Sequence, residues 1–81
     1  MAKKKPRKPR KVTLEQLPIE LYKLLKFESL VQSGGEAKTL ISEGHVLVNG
    51  EVETRKGKKI FAGDVVGLAN QLIQIVQKET P

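Results

Sequence analysis

Residues 45–59 read HVLVNGEVETRKGKK. Val46-Leu47-Val48 is a short β-prone run, Asn49-Gly50 a turn, and Glu51-Val52-Glu53 a return strand. Asn-Gly is the preferred pair for a two-residue type I′ turn, because both of its residues need positive φ. The stretch therefore predicts a β-hairpin. Arg55, Lys56, Lys58 and Lys59 follow at once. The hairpin thus delivers four cations to one place, as a solvated loop or as a surface arranged to meet something negative.

On the C-terminal side, Ile60-Phe61 starts a short strand, Gly63-Asp64 reads as a turn, and Val65–Leu68 as a strand. Ala69-Asn70-Gln71 is a further turn and Leu72–Val76 the last strand. On the N-terminal side, Ser33-Gly34-Gly35-Glu36 matches the S-x-x-E capping box. In that box Ser33 accepts from the Glu36 N–H, and the Glu36 side chain returns to the Ser33 N–H. Ala37, Leu40 and Ile41 give the buried stripe of a helix over 34–43, with Lys38 outside, and Gly44 ends it in the left-handed conformation. Gly34 and Gly35 each cost about 0.5–1 kcal/mol relative to alanine in a helical turn. They form either a relaxed entry turn or a bare helix start that a phosphate can approach; Glu36 at the same end favours the turn.

Further upstream, Pro18 suits a first helical turn. Leu21, Leu24 and Leu25 follow at i, i+3, i+4 and predict a helix over 18–28, with Lys23 and Lys26 off its apolar stripe. Val12-Thr13-Leu14 is expected as an edge strand, and Phe27 and Phe61 are expected in the core. Helices followed by a run of strands argue an α+β fold: two N-terminal helices on a small, mostly antiparallel sheet of four to five short strands.

Composition narrows the class. Eighty-one residues, 38% hydrophobic and 4% aromatic, suffice for one thin layer of helix on sheet and not for a deep substrate pocket. The absence of cysteine excludes disulfides, thiolate metal sites and thiol catalysis. No apolar run approaches the ~18 residues of a membrane span, and the charged N-terminus lacks the apolar segment of a secretory signal. A cytoplasmic, monomeric protein without membrane contact is expected. The net charge of +6 is uneven. Lys3, Lys4, Lys5, Arg7, Lys8, Arg10 and Lys11 hold seven of the fifteen bases, with no acid among residues 1–11. The remaining chain carries eight bases against nine acids. Residues 1–11, with Pro6 and Pro9, are expected as a disordered tail, acting as a polyanion-binding arm or as a solubilising segment. Residues 12–78 form the domain and 79–81 its end.

Nothing here has the pattern of a catalyst. His45, the one histidine, stands at a strand start with no adjacent nucleophile. The acids are scattered singly among lysines rather than paired for acid–base work. There is no glycine-rich nucleotide fingerprint, no Walker loop and no metal-spaced cluster. No enzyme activity and no cofactor are expected. Phosphate binding fits better: Lys23, Lys26, Lys38 and the 55–59 group come from two helices and one loop, and converge on one face if the two helices pack antiparallel on the sheet. With few aromatics, recognition of folded RNA by shape and phosphate position is favoured over base stacking.

The text LYKLLKFESLVQSGGEAKTLISEGHVLVNGEVETRKGKKIFAGDVVGL, residues 21–68, resembles the S4 RNA-binding domain, first known from a ribosomal small-subunit protein. The match runs through Ala37, Leu40-Ile41, Gly44, Val46, Val48-Asn49-Gly50 and the late Gly63-Asp64. The segments SGGEAK and VETRK are most similar to the small stand-alone bacterial members, the YbcJ-like proteins. The resemblance implies an αL motif, two helices and a hairpin presenting a basic surface to structured ribosomal or transfer RNA. Carried over position by position, it implies Lys26, Lys38, Arg55, Lys56 and Lys59 at the RNA surface. The full surface is expected to comprise Lys23, Lys26, Ser33, Gly34, Lys38, Asn49, Arg55, Lys56, Lys58 and Lys59, with the tail as an auxiliary. Glu20 and Gly34 stand where the wider family usually keeps arginine, which raises the weight on the 55–59 loop. A ribosome or an RNA-modifying enzyme is a possible partner. The alternatives are an adaptor module for such an enzyme and a nonspecific polyanion binder acting through its tail.

Overall fold

A computed structural model of the chain describes residues 9–79. Seven strands and two helices run in the order β1 (Arg10–Leu14), β2 (Ile19–Glu20), α1 (Leu21–Phe27), α2 (Gly34–Ser42), β3 (Val46–Val48), β4 (Glu51–Val52), β5 (Lys59–Ile60), β6 (Val65–Leu68) and β7 (Gln71–Gln77). The main sheet has the order β1-β7-β6-β3-β4. It is antiparallel except where β1 lies parallel to β7. Strands β2 and β5 form a separate antiparallel pair. The α+β fold expected from the sequence is present, with β1 at the sheet edge.

One apolar layer holds the fold together. Alternation along β3 buries Val46 and Val48 and exposes Leu47, and along β7 it buries Ile73 and Ile75, as the two-residue period of a strand requires. Register then lines these residues up: Val48 lies opposite Val66, Val66 opposite Ile73, and Val12 beside Ile75. Leu21, Leu24 and Leu25 of α1 and Ala37 and Ile41 of α2 close the same core.

The hairpin is built as its Asn-Gly pair demands. Asn49 has φ 54° and Gly50 φ 85°, and Val48 pairs with Glu51 across the turn. The Asn49 amide has a second task. It donates to Asp64 Oδ1 at 3.1 Å and accepts from the Val65 N–H at 2.9 Å. Asp64 Oδ2 in turn accepts from the Phe61 N–H at 2.8 Å. The Asn-Gly and Gly-Asp pieces of the sequence, fifteen residues apart, are therefore one hydrogen-bonded unit that ties the hairpin turn to the start of β6. Asn49→Gly keeps the left-handed backbone and removes these bonds. It is expected to cost about 1–2 kcal/mol, read as a fall of roughly 10 °C in the thermal midpoint. An unchanged midpoint would show that the network contributes nothing.

Four expectations are corrected. Pro18 does not open a helix: the Leu17–Pro18 bond is cis, and Ile19 and Glu20 are extended and paired with Ile60 and Lys59. The helix starts only at Leu21, because strand pairing claims the two residues before it. The capping box closes differently: Ser33 Oγ accepts from the Glu36 N–H at 3.1 Å, but Glu36 Oε1 accepts from the Gln32 N–H at 2.9 Å rather than from Ser33. Phe27 and Phe61 are not core residues; they are 66% and 53% exposed. Finally, β1 begins at Arg10, so Arg10 and Lys11 belong to the sheet. Lys3, Lys4, Lys5, Arg7 and Lys8 lie outside the described residues.

Candidate nucleic-acid interface

The segment after the hairpin is no free loop. Helix α1 has no side-chain N-cap, and the first N–H groups of any helix lack internal partners. Here the Leu21 N–H donates to the Lys58 carbonyl at 2.9 Å and the Tyr22 N–H to the Lys56 carbonyl at 3.2 Å. The basic segment itself caps the helix. Its backbone is thereby fixed against α1, and its side chains are left to project.

Glu53 fixes the other end of the segment. Its Oε2 accepts from the Arg55 N–H at 3.0 Å and from Arg55 Nε at 2.9 Å, and its Oε1 accepts from the second guanidinium nitrogen at 3.1 Å. The fork places Arg55 in one geometry. The Arg55 side chain, then its backbone N–H, then the charges of Arg55 and Lys58 hold the Glu53 carboxyl at about 2, against an ordinary 4.5. A folded-state value below the unfolded one means that this contribution to stability is complete above about pH 4.5 and is lost as pH falls through about 2. A carbon-13 NMR titration of Glu53 is expected to give a midpoint near 2. A midpoint near 4.5 would show the fork open in solution.

With both ends held, the segment faces α2 across an open groove of about 580 Å³. Lys38, Thr39 and Ser42 line it from the helix, and Thr54, Arg55, Lys56 and Gly57 from the segment. Three cations and the Thr39 and Thr54 hydroxyls thus share one concave surface, and such groups are the donors that phosphate oxygens accept from. The Ser42 hydroxyl already donates to the Thr39 carbonyl at 3.0 Å. Sequence reasoning missed Thr39, Ser42 and Thr54. The signal was available, since Ser42 lies four residues after Lys38 and three after Thr39, the spacings that make side chains neighbours on a helix. The expected convergence of cations from two helices is met only in part: the groove takes its cations from α2 and the segment.

The other predicted residues divide by location. Lys23 and Lys59 both pair with Glu20, at 3.2 and 3.8 Å, on a neighbouring face. The Lys23 hydrogen bond, followed by the charges of Lys23 and Lys59, lowers the Glu20 carboxyl below its ordinary value. Lys26 is exposed in the last turn of α1 and Lys58 half-buried beside the helix start. Among the described residues, Lys26, Lys38, Lys56 and Lys58 have no carboxylate within ion-pair distance. Ser33 is occupied as an N-cap and Asn49 as the link to Asp64. Gly34 is half-buried, and a β-carbon there would meet only Tyr22 Cδ2 at 3.9 Å, an ordinary contact. The steric case for glycine at that position is therefore absent. His45 is exposed, 3.4 Å from Glu43. Arg10 reaches Glu28 at 3.5 Å, at the far end of α1 from the groove. Among the described residues no helix is long and apolar enough to cross a membrane.

Comparison with known proteins places this geometry in a known setting. A family model of the S4 domain matches residues 12–76. YbcJ of Escherichia coli K12 is 50% identical over 58 residues, covering 72% of this chain and 83% of YbcJ. The Bacillus subtilis 168 protein named "Probable ribosome maturation protein RlbA" is 44% identical over 55 residues, covering 68% of this chain and 78% of that protein. The solution structure of E. coli YbcJ, in which an αL motif involved in RNA binding was described, superposes with a TM-score of 0.65 at 40% identity. That superposition covers 94% of this chain and 98% of YbcJ.

Proposed function

Because the chain belongs to the S4 domain family, we propose that it is a non-catalytic RNA-binding protein whose phosphate-binding surface is the α2–segment groove. The observation that carries this reading is the meeting of Lys38, Arg55 and Lys56 with the Thr39 and Thr54 hydroxyls on one concave face. Lys26 and Lys58 extend that surface, and the basic residues 3–8 add a sequence-blind arm. The likeness to RlbA favours structured ribosomal RNA as the target class. The groove is shaped by a helix and a fixed backbone segment, so it selects RNA by phosphate spacing rather than by base sequence.

A salt titration against a ribosomal RNA hairpin tests this. With about five phosphates neutralised, log K is expected to fall against log salt with a slope of about −4 to −5; a flat response would refute the phosphate model. Removal of residues 1–8 separates the groove from the tail. The shortened protein is expected to retain hairpin binding with a shallower slope. Complete loss at moderate salt would instead favour a nonspecific polyanion binder working through the tail.

A further inference from the structure

Phe27, expected inside the protein, stands on its surface. It lines a cavity of about 770 Å³ together with Leu14, Pro18 and Ile19, and Lys23 and Lys59 stand at the same cavity. Glu15 and Glu20 also face it. Lys78 holds Glu15 at 2.9 Å, and Glu20 is shared between Lys23 and Lys59. Two ammonium groups on one carboxylate leave an excess of positive charge at the rim.

The cavity adjoins the groove. Lys56 and Gly57 line the groove and Lys59, two residues on, lines the cavity. On the helix side the Tyr22 ring bridges the same gap: its centroid is 4.8 Å from the Lys38 ammonium and 5.9 Å from that of Lys23. From Lys23 to Phe27 is four residues, about 6 Å along the helix and on one face of it. A strand leaving the groove past Lys38 and Tyr22 therefore meets Lys23 and Lys59 and then an exposed aromatic ring.

We propose that this cavity takes one unpaired nucleobase, stacked on the Phe27 ring, with its flanking phosphate competing with Glu20 for the Lys23 and Lys59 ammonium groups. The inference rests on the RNA-binding reading and deepens it: the preferred ligand is a structured RNA with an unpaired nucleotide at its edge, in a bulge or an overhang. Stacking on a ring accepts any base, so the site adds affinity for the junction and not for a sequence.

The test compares a blunt ribosomal RNA hairpin with the same hairpin carrying a short unpaired flank that contains 2-aminopurine. The proteins are the full chain, Phe27→Leu and Phe27→Tyr. Phe27 is exposed, so all three are expected to melt alike. The flank is expected to raise affinity about tenfold for the full chain and for Phe27→Tyr, with quenching of the 2-aminopurine fluorescence. Phe27→Leu is expected to lose both effects while binding the blunt hairpin unchanged. If the full chain binds both hairpins equally, or if Phe27→Leu retains the gain, the base site is refuted and Phe27 is left as a protein-docking residue. If neither hairpin binds, the RNA-binding reading falls and the base site with it.

Discussion

Replacing Lys38, Arg55 and Lys56 together by glutamine is expected to weaken hairpin binding about 100-fold at moderate salt and to reduce the salt slope by about two to three, Arg55 already sharing its charge with Glu53. The three side chains are the cations that line the groove, and each phosphate contact removed takes about one unit from the slope. The same exchange at Lys23 and Lys59 is expected to have a smaller effect on a blunt hairpin, because those two ammonium groups already share Glu20. Glu53 supplies a test of sign. Counted as charge alone, Glu53→Gln removes a negative group near the groove and should tighten binding. If the fork on Arg55 positions the guanidinium, the same change weakens it. We expect weakening of a few-fold with Arg55 present and tightening when Arg55 is already glutamine. A triple variant that binds within threefold of the parent would move the interface elsewhere.

Ile41→Ala is the substitution expected to cost most in stability. Ile41 is fully buried where α2 meets the common core, and truncating such a side chain typically costs 2–5 kcal/mol. A domain of this size starts near the low end of the usual 5–15 kcal/mol, so one truncation removes a large share of its margin. Urea unfolding should show a lower midpoint at unchanged slope. A loss below about 1 kcal/mol would mean that α2 is loosely packed. The contrast with Phe27 is instructive: two apolar residues on adjacent helices, one decisive for folding and the other free of it.

What could be read from the sequence was local. The Asn49-Gly50 turn, the Ser33 cap and the Leu21/Leu24/Leu25 stripe depend on residues within one or two turns of chain, and each appears as expected. Apart from the capping box, where Glu36 closes on Gln32 rather than Ser33, the misreadings involve partners distant in sequence. Pro18 reads as a helix start until Glu20 is seen paired with Lys59. Asn49 reads as a surface donor until Asp64 takes its amide. Phe27 reads as core because its spacing follows the stripe loosely, yet it falls just beyond the face that α2 covers. The cations were singled out as a group, and spacing could not divide them between the groove and the Glu20 cluster.

The pairing of the Lys56 and Lys58 carbonyls with the N–H groups of Leu21 and Tyr22 has a consequence for local unfolding. The basic segment cannot swing away without exposing the helix start to water, so segment and helix open and close as one cooperative unit. RNA then meets a surface whose backbone ordering was settled during folding, and little conformational entropy is lost at the moment of association. The amides of Leu21 and Tyr22 become reporters of that unit. Their hydrogen-exchange protection should match that of the α1 interior, and should vanish together with the groove when the segment is lengthened by glycine insertion at Gly57.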